Sequence, residues 1–104
     1  MGIKLVSIVP AKSTDKAKYI ATFERDGRTN TTKFGAAGFK DYPIYYRTEG
    51  KSAADKRRAA YIARHEKNEN FNDPTTAGAL SRYILWEKPT ITAAITAFKK
   101  RFNI

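Results

Sequence analysis

The run from Asp55 to Trp86, DKRRAAYIARHEKNENFNDPTTAGALSRYILW, constrains the fold more than any other stretch of the chain. It sets a helix pattern with a basic outer face against a second, almost wholly apolar helix pattern, with a sharply punctuated break between them. A helix that is apolar around most of its circumference needs cover on several sides. Leu80, Ile84, Leu85 and Trp86 reach around most of the second helix, so it is expected at the centre of the fold. Arg82 is its one strong charge and belongs at an edge that faces solvent or a partner. Gly78 costs about 1 kcal/mol against alanine inside a helix; close approach of another backbone is the expected compensation.

The first helix is expected from Ser52 to about Asn68, with Ser52 and Asp55 reading as a near capping box. Asn70 to Asn72 breaks it. Asp73-Pro74 restarts the chain as a helix, an acceptor at the cap and proline in the first turn, and this second helix reaches Trp86 or Glu87. Lys88-Pro89 ends it. Thr90 caps a last helix from Ile91 to Phe102, whose Ile91, Ala94, Ile95, Phe98 and Phe102 form one apolar stripe.

The first half follows a different period. Ile3 to Val9 is an apolar strand ended by Pro10, which removes a ladder donor. Ala17 to Arg25 alternates, with Tyr19, Ala21 and Phe23 on one face. Asp26-Gly27 is a strong hairpin signal, and Thr29 to Phe34 returns antiparallel. Gly35 to Gly50 reads as an irregular connection carrying Phe39, Tyr42, Tyr45 and Tyr46. Those rings either cover one end of the sheet, or one or two tyrosines stack on bases. The expected fold is α+β: a small antiparallel three-stranded N-terminal sheet followed by three helices packed on it. A single domain spans 1–104, with a sheet part at 1–35, an aromatic loop at 36–50 and a helical part at 51–104.

Charge narrows the partner class. Twenty Lys and Arg against ten Asp and Glu leave a formal +10, with a pI near 10.0. Solubility alone needs a magnitude of about 2–8 in a small domain. The excess suggests a polyanion: nucleic acid first, an acidic protein or anionic membrane surface behind it. At about 100° per residue, Lys56, Arg57, Arg64 and Lys67 fall on one side of the first helix, interspersed only with Ala60 and Ala63, while Ala54, Tyr61 and Ile62 fall on the other. Small residues between cations let a phosphate backbone approach closely and release its counterions. The competing reading is a solvated face whose alanines serve helix propensity. Arg82, Lys99, Lys100 and Arg101 extend the candidate nucleic-acid-binding set, although cations in a last turn also suit a helix C-terminus. Arg58 and His65 sit among the apolar residues of that helix. Burial of a guanidinium demands a partner, so Arg58 either snorkels under partial cover or meets an acid such as Asp73. His65 reads as a structural hydrogen-bonding residue.

Catalytic patterns are weak. There is no cysteine, hence no disulfide scaffold or Cys-ligated zinc. His65, Glu66, Glu69 and Asp73 are neighbours in sequence, but Glu66 points about 100° from His65 on a helix and no second His or acidic pair has ligand spacing. Ser7, Ser13, Ser52 and Ser81 lie in no nucleophile motif. Gly35-Ala-Ala-Gly38 is not followed by the Lys-Ser/Thr of a phosphate loop. A non-enzyme without cofactor or metal is expected. Met1-Gly2 lacks the Ser or Thr of a myristoylation pattern, no signal peptide is evident, and no apolar run is long enough to span a bilayer.

One resemblance covers residues 17–103. Phe34-Gly-Ala-Ala-Gly-Phe-Lys-Asp-Tyr42, Arg64-His65, Glu69-Asn-Phe-Asn-Asp-Pro74, Thr76-Ala-Gly-Ala-Leu-Ser-Arg82, Leu85-Trp86, Lys88-Pro89 and Lys100-Arg-Phe102 together resemble an uncharacterised family of small basic proteins encoded by nucleocytoplasmic large DNA viruses. Phe71 stands where many relatives carry Trp. The resemblance implies a virus-encoded protein located in the virion interior or the infected cell (cytoplasm, viral factory or nucleus), and assigns no catalytic residue. The resulting expectation is non-enzymatic binding to nucleic-acid phosphates, double-stranded DNA ahead of RNA, in genome packaging or condensation. Docking of the basic surface on acidic capsid or core proteins is the second reading, and a metal-dependent nuclease the third.

Overall fold

The computed structural model describes residues 2–12 and 14–104. Met1 of the myristoylation pattern and Ser13 of the serines considered above lie outside them. Three strands, β1 (Lys4–Pro10), β2 (Ala17–Arg25) and β3 (Arg28–Ala36), form an antiparallel sheet in the order β1-β2-β3. Asp26 and Gly27 both adopt positive φ, 53° and 78°, as a two-residue primed hairpin turn requires. The ladder therefore runs up to the turn, pairing Arg25 with Arg28, and β3 is longer than its Thr-rich centre suggests. In β1 the register shifts between Leu5, which pairs with Phe23, and Ser7, which pairs with Thr22. Val6 is the extra, bulged residue and stands exposed. Leu5, Ala21, Phe23 and Phe34 line the buried face, as the alternation of β2 predicts.

Four helices follow, one more than the apolar periodicity predicts. The additional one, α1 (Tyr42–Glu49), replaces the expected irregular connection. Asp41 caps it by accepting the Ile44 amide at 3.2 Å, and Pro43 sits in its first turn. A run rich in tyrosine and short of aliphatic residues hides this helix from pattern reading. Gly50, at φ 96°, ends α1, and α2 (Lys51–His65) begins at the next residue. The Ser52–Asp55 capping box does not form, since no side chain caps α2. α2 also ends at His65, short of Asn68.

Asp73 does not cap the next helix. Its carboxylate is taken by the Thr75 amide and hydroxyl at 3.0 and 2.7 Å, an Asx-type turn that delays the start. Thr76 caps instead, accepting from the Ala79 amide at 3.1 Å, and α3 covers Ala77–Leu80. The chain continues as a π-helical turn over Ser81–Leu85, an irregularity that composition does not signal. Thr90 caps α4 (Ile91–Phe102), accepting from the Ala93 amide at 3.2 Å, at the expected boundaries. Leu80 and Ile84 are fully buried with Phe34 of the sheet and Phe98 of α4, so the α3–π segment is the central element. Gly78 does permit a close approach, although by a side chain and not by backbone. A β-carbon there would stand 2.8–3.0 Å from Glu69 atoms.

Candidate nucleic-acid interface

Lys56, Arg57, Arg64 and Lys67 are all exposed, and none makes an ion pair among the described residues. Lys67 lies not on α2, as expected, but in the turn just beyond it, because the helix ends at His65. The α2 residues three and four positions from the four cations include Ala53, Ala54, Ala59, Ala60, Tyr61 and Ala63, with no acid among them. A helix face evolved only for solvation ordinarily intersperses carboxylates at those spacings. This face leaves its cations available.

The opposite side of α2 is braced by the residue that sequence reading leaves unexplained. Arg58 donates to the Glu87 carbonyl at 2.9 Å and to Asp55 at 3.2 Å, with its guanidinium 4.6 Å from the centre of the Tyr42 ring. Its partner is thus Asp55, not Asp73. Asp55 also accepts from Lys51 and from the Tyr42 hydroxyl, both at 2.7 Å. Those two hydrogen bonds, Lys51 first, hold its carboxyl below the usual aspartate range. Asp55 therefore ties α1 to α2 and, through Arg58, to the end of the π-helical turn.

A cleft of about 420 Å³ opens between α2, the end of β3 and the Phe39–Tyr45 region. Arg57 and Arg64 line it together with Lys18 and Lys40; Lys56 and Lys67 do not. Its floor is a column of rings. Tyr61 stacks on Trp86 at 4.8 Å and 12°, and on His65 at 4.2 Å and 26°. Tyr45 meets Trp86 at 6.1 Å and carries the Arg57 guanidinium 5.0 Å above its own ring. Burial, then the negative charge of Glu69, pushes the Tyr61 phenol up to about 12.

The two carboxylates in the lining are held differently. Asp41, 5% exposed, receives Lys18 Nζ at 2.8 Å while capping α1. Glu69 packs against Gly78, and its Oε2 lies 2.9 Å from His65 Nδ1. That separation suits an ion pair with a protonated imidazole, but the buried oxygen receives no hydrogen bond in the observed orientation. The i, i+4 pair is thus His65 with Glu69, whereas Glu66 stays exposed. Among the described residues no three His, Cys, Asp or Glu side chains group as a metal site.

Phe39 stands at the mouth of the cleft, 71% exposed. It is presented by a turn in which the Phe39 amide donates to the Ala36 carbonyl at 3.3 Å and Gly38 has φ 87°, the positive value that a type II turn demands at its third residue. Sequence reading placed the stacking candidates among the tyrosines; the exposed ring is the phenylalanine.

The remaining candidate cations lie elsewhere. Arg82, expected at an edge facing solvent or a partner, is turned inward: its side chain is 17% exposed and paired with Glu87 at 2.6 Å. Tyr83 lies between Arg82 and Arg101, whose guanidinia are 4.9 and 4.3 Å from its ring centre. Lys99, Lys100 and Arg101 occupy the last turn of α4. That end runs beside β1, where the Ile104 carbonyl accepts the Leu5 amide. None of these four lines the cleft. No described helix is long and apolar enough to cross a membrane. No protein-family model, curated protein or solved structure matches the chain.

Proposed function

We propose that this chain is a non-enzymatic nucleic-acid-binding protein that grips phosphates along the exposed face of α2 with little sequence preference. The observation that carries the reading is the set Lys56, Arg57 and Arg64 on α2 with Lys67 in the turn just beyond it, all exposed and without an ion pair among the described residues. Ala60 and Ala63 keep the surface between them low, so a sugar-phosphate chain reaches van der Waals contact with the helix. Each neutralised phosphate releases condensed counterions, and affinity then falls with salt by a log–log slope of about −0.9 per contact on duplex DNA. From the resemblance to a large DNA virus family we propose genome packaging or condensation as the setting of this activity.

A mobility-shift titration tests the proposal. At about 50 mM salt the protein should retard long duplex or single-stranded nucleic acid, with steep weakening as salt rises. No binding to either form at low salt would sink it. Cross-linking that yields only protein adducts would transfer the basic face to an acidic protein partner. Divalent-metal-dependent plasmid cleavage lost in His65→Ala would make the chain a nuclease.

A further inference from the structure

The phosphate-binding reading leaves the cleft unused, and the cleft has features that phosphate contacts alone do not require. Its volume, about 420 Å³, lies in the range of small-ligand sites, roughly 300–1,000 Å³. Its rings are not equivalent. Tyr61 has one face on His65 and the other on Trp86, and Trp86 is further covered by Tyr45. Phe39 has no ring partner among the described residues, yet it is the exposed one. An exposed phenylalanine at a cleft mouth, held by a glycine turn, is a stacking surface without its stack.

We propose that the cleft takes one unpaired nucleobase of single-stranded nucleic acid, stacked on Phe39, while Arg57 and Arg64 hold the flanking phosphates. This rests on the phosphate-binding reading and specifies the strand form it favours. Of the two carboxylates in the lining, Asp41 is paired with Lys18 and Glu69 is tucked against Gly78 beside His65. Lys40 is drawn towards Glu49 at 3.7 Å, so Arg57 and Arg64, without an ion pair among the described residues, set the charge facing the incoming strand. A base within a duplex has both faces stacked and cannot enter a slot walled by α2 on one side and the Phe39 turn on the other. A base in a single strand enters without that unstacking cost. Every base offers a π face, so the preference is for strandedness and not for sequence.

The test compares a labelled oligothymidylate with a duplex of equal phosphate number by fluorescence anisotropy at one salt concentration. The single strand should bind more tightly. Phe39→Ala should weaken it on the order of 5- to 100-fold while duplex affinity stays within about twofold, and Phe39→Tyr should restore it. Phe39 is largely exposed, so its removal leaves the core intact. Trp86 is the sole tryptophan, and its emission should be quenched by the single strand and not by the duplex. Equal affinities with no effect of Phe39→Ala would overturn the base site. Phosphate binding would still stand in that case, provided Arg57→Gln lowers both affinities. Failure of both nucleic acids to bind would remove the two proposals together.

Discussion

The cleft edge and the α4 edge of the fold use their arginines in opposite ways. Beside β3, Arg57 and Arg64 flank a cleft and meet no carboxylate. At the α4 edge, Arg82 is held by Glu87, and Tyr83 sits between Arg82 and Arg101 within a cluster that includes Phe71, Phe98 and Phe102. A guanidinium committed to a carboxylate is structural material, as Arg82 is; Arg57, which rests on the Tyr45 ring but meets no carboxylate among the described residues, keeps its charge open to an anion. The formal +10 therefore overstates the surface available to a polyanion, and the partners of each cation decide which edge binds.

The strongest perturbation of this contrast is on the braced edge. Phe98 is fully buried and packs on Phe102 at 5.0 Å. Phe98→Ala should lower unfolding free energy by about 3–5 kcal/mol, measured by urea denaturation. Any folded fraction should still bind nucleic acid with the same salt slope. Loss of binding in protein with native circular dichroism would show that the edges are coupled. Next in size is the double variant Arg57→Gln with Arg64→Gln. It should weaken binding on the order of 100-fold and flatten the log–log salt slope by about 2. Lys99→Gln with Lys100→Gln should change affinity less than about threefold. Equal losses from the two pairs would erase the distinction between edges.

The sheet, its hairpin turn and α4 were legible because each rests on a local rule: alternation, a Gly in a two-residue turn, and a Thr cap before an apolar stripe. α1 was legible in part, since Asp41 and Pro43 carry the start signal, but its tyrosines gave no apolar period. The π-helical turn, which carries the buried Ile84 and Leu85, had no sequence signal. At the site, helical spacing put Lys56, Arg57 and Arg64 on α2, but it also put Lys67 there, which lies in the turn beyond the helix end. The cleft did not: it needs α1, the Phe39 turn and α2 brought together by tertiary contacts such as Asp55 with Tyr42. Arg82 misled because Glu87 lies five residues away, outside the spacings at which helical pairs are sought.

Arg82 gives a smaller and more selective test of the braced edge. Replacing it with Gln removes the contact to Glu87 and the stack on Tyr83, and leaves a carboxylate only 22% exposed without its partner. After allowance for solvent screening the expected cost is about 1–2 kcal/mol, read as a lower thermal midpoint. Affinity for either strand form should remain unchanged, because Arg82 does not line the cleft. A variant that keeps its stability but binds less tightly would place Arg82 among the binding groups.

The smallest effect concerns the floor of the cleft and shows itself only in alkali. Burial first, and the charge of Glu69 second, push the Tyr61 phenol from 10.0 to about 12, so the fold favours its protonated form. That contribution is fully present below the unfolded value near 10 and is lost as pH rises towards 12. Tyr61→Phe keeps a ring between His65 and Trp86, so at neutral pH its stability should differ by less than about 1 kcal/mol. Between pH 10 and 12 its thermal midpoint should fall less steeply than that of the native chain. Parallel alkaline curves for the two proteins would mean that the phenol ionises freely, and that the floor of the cleft is wetter and more open than the stacked column of rings implies.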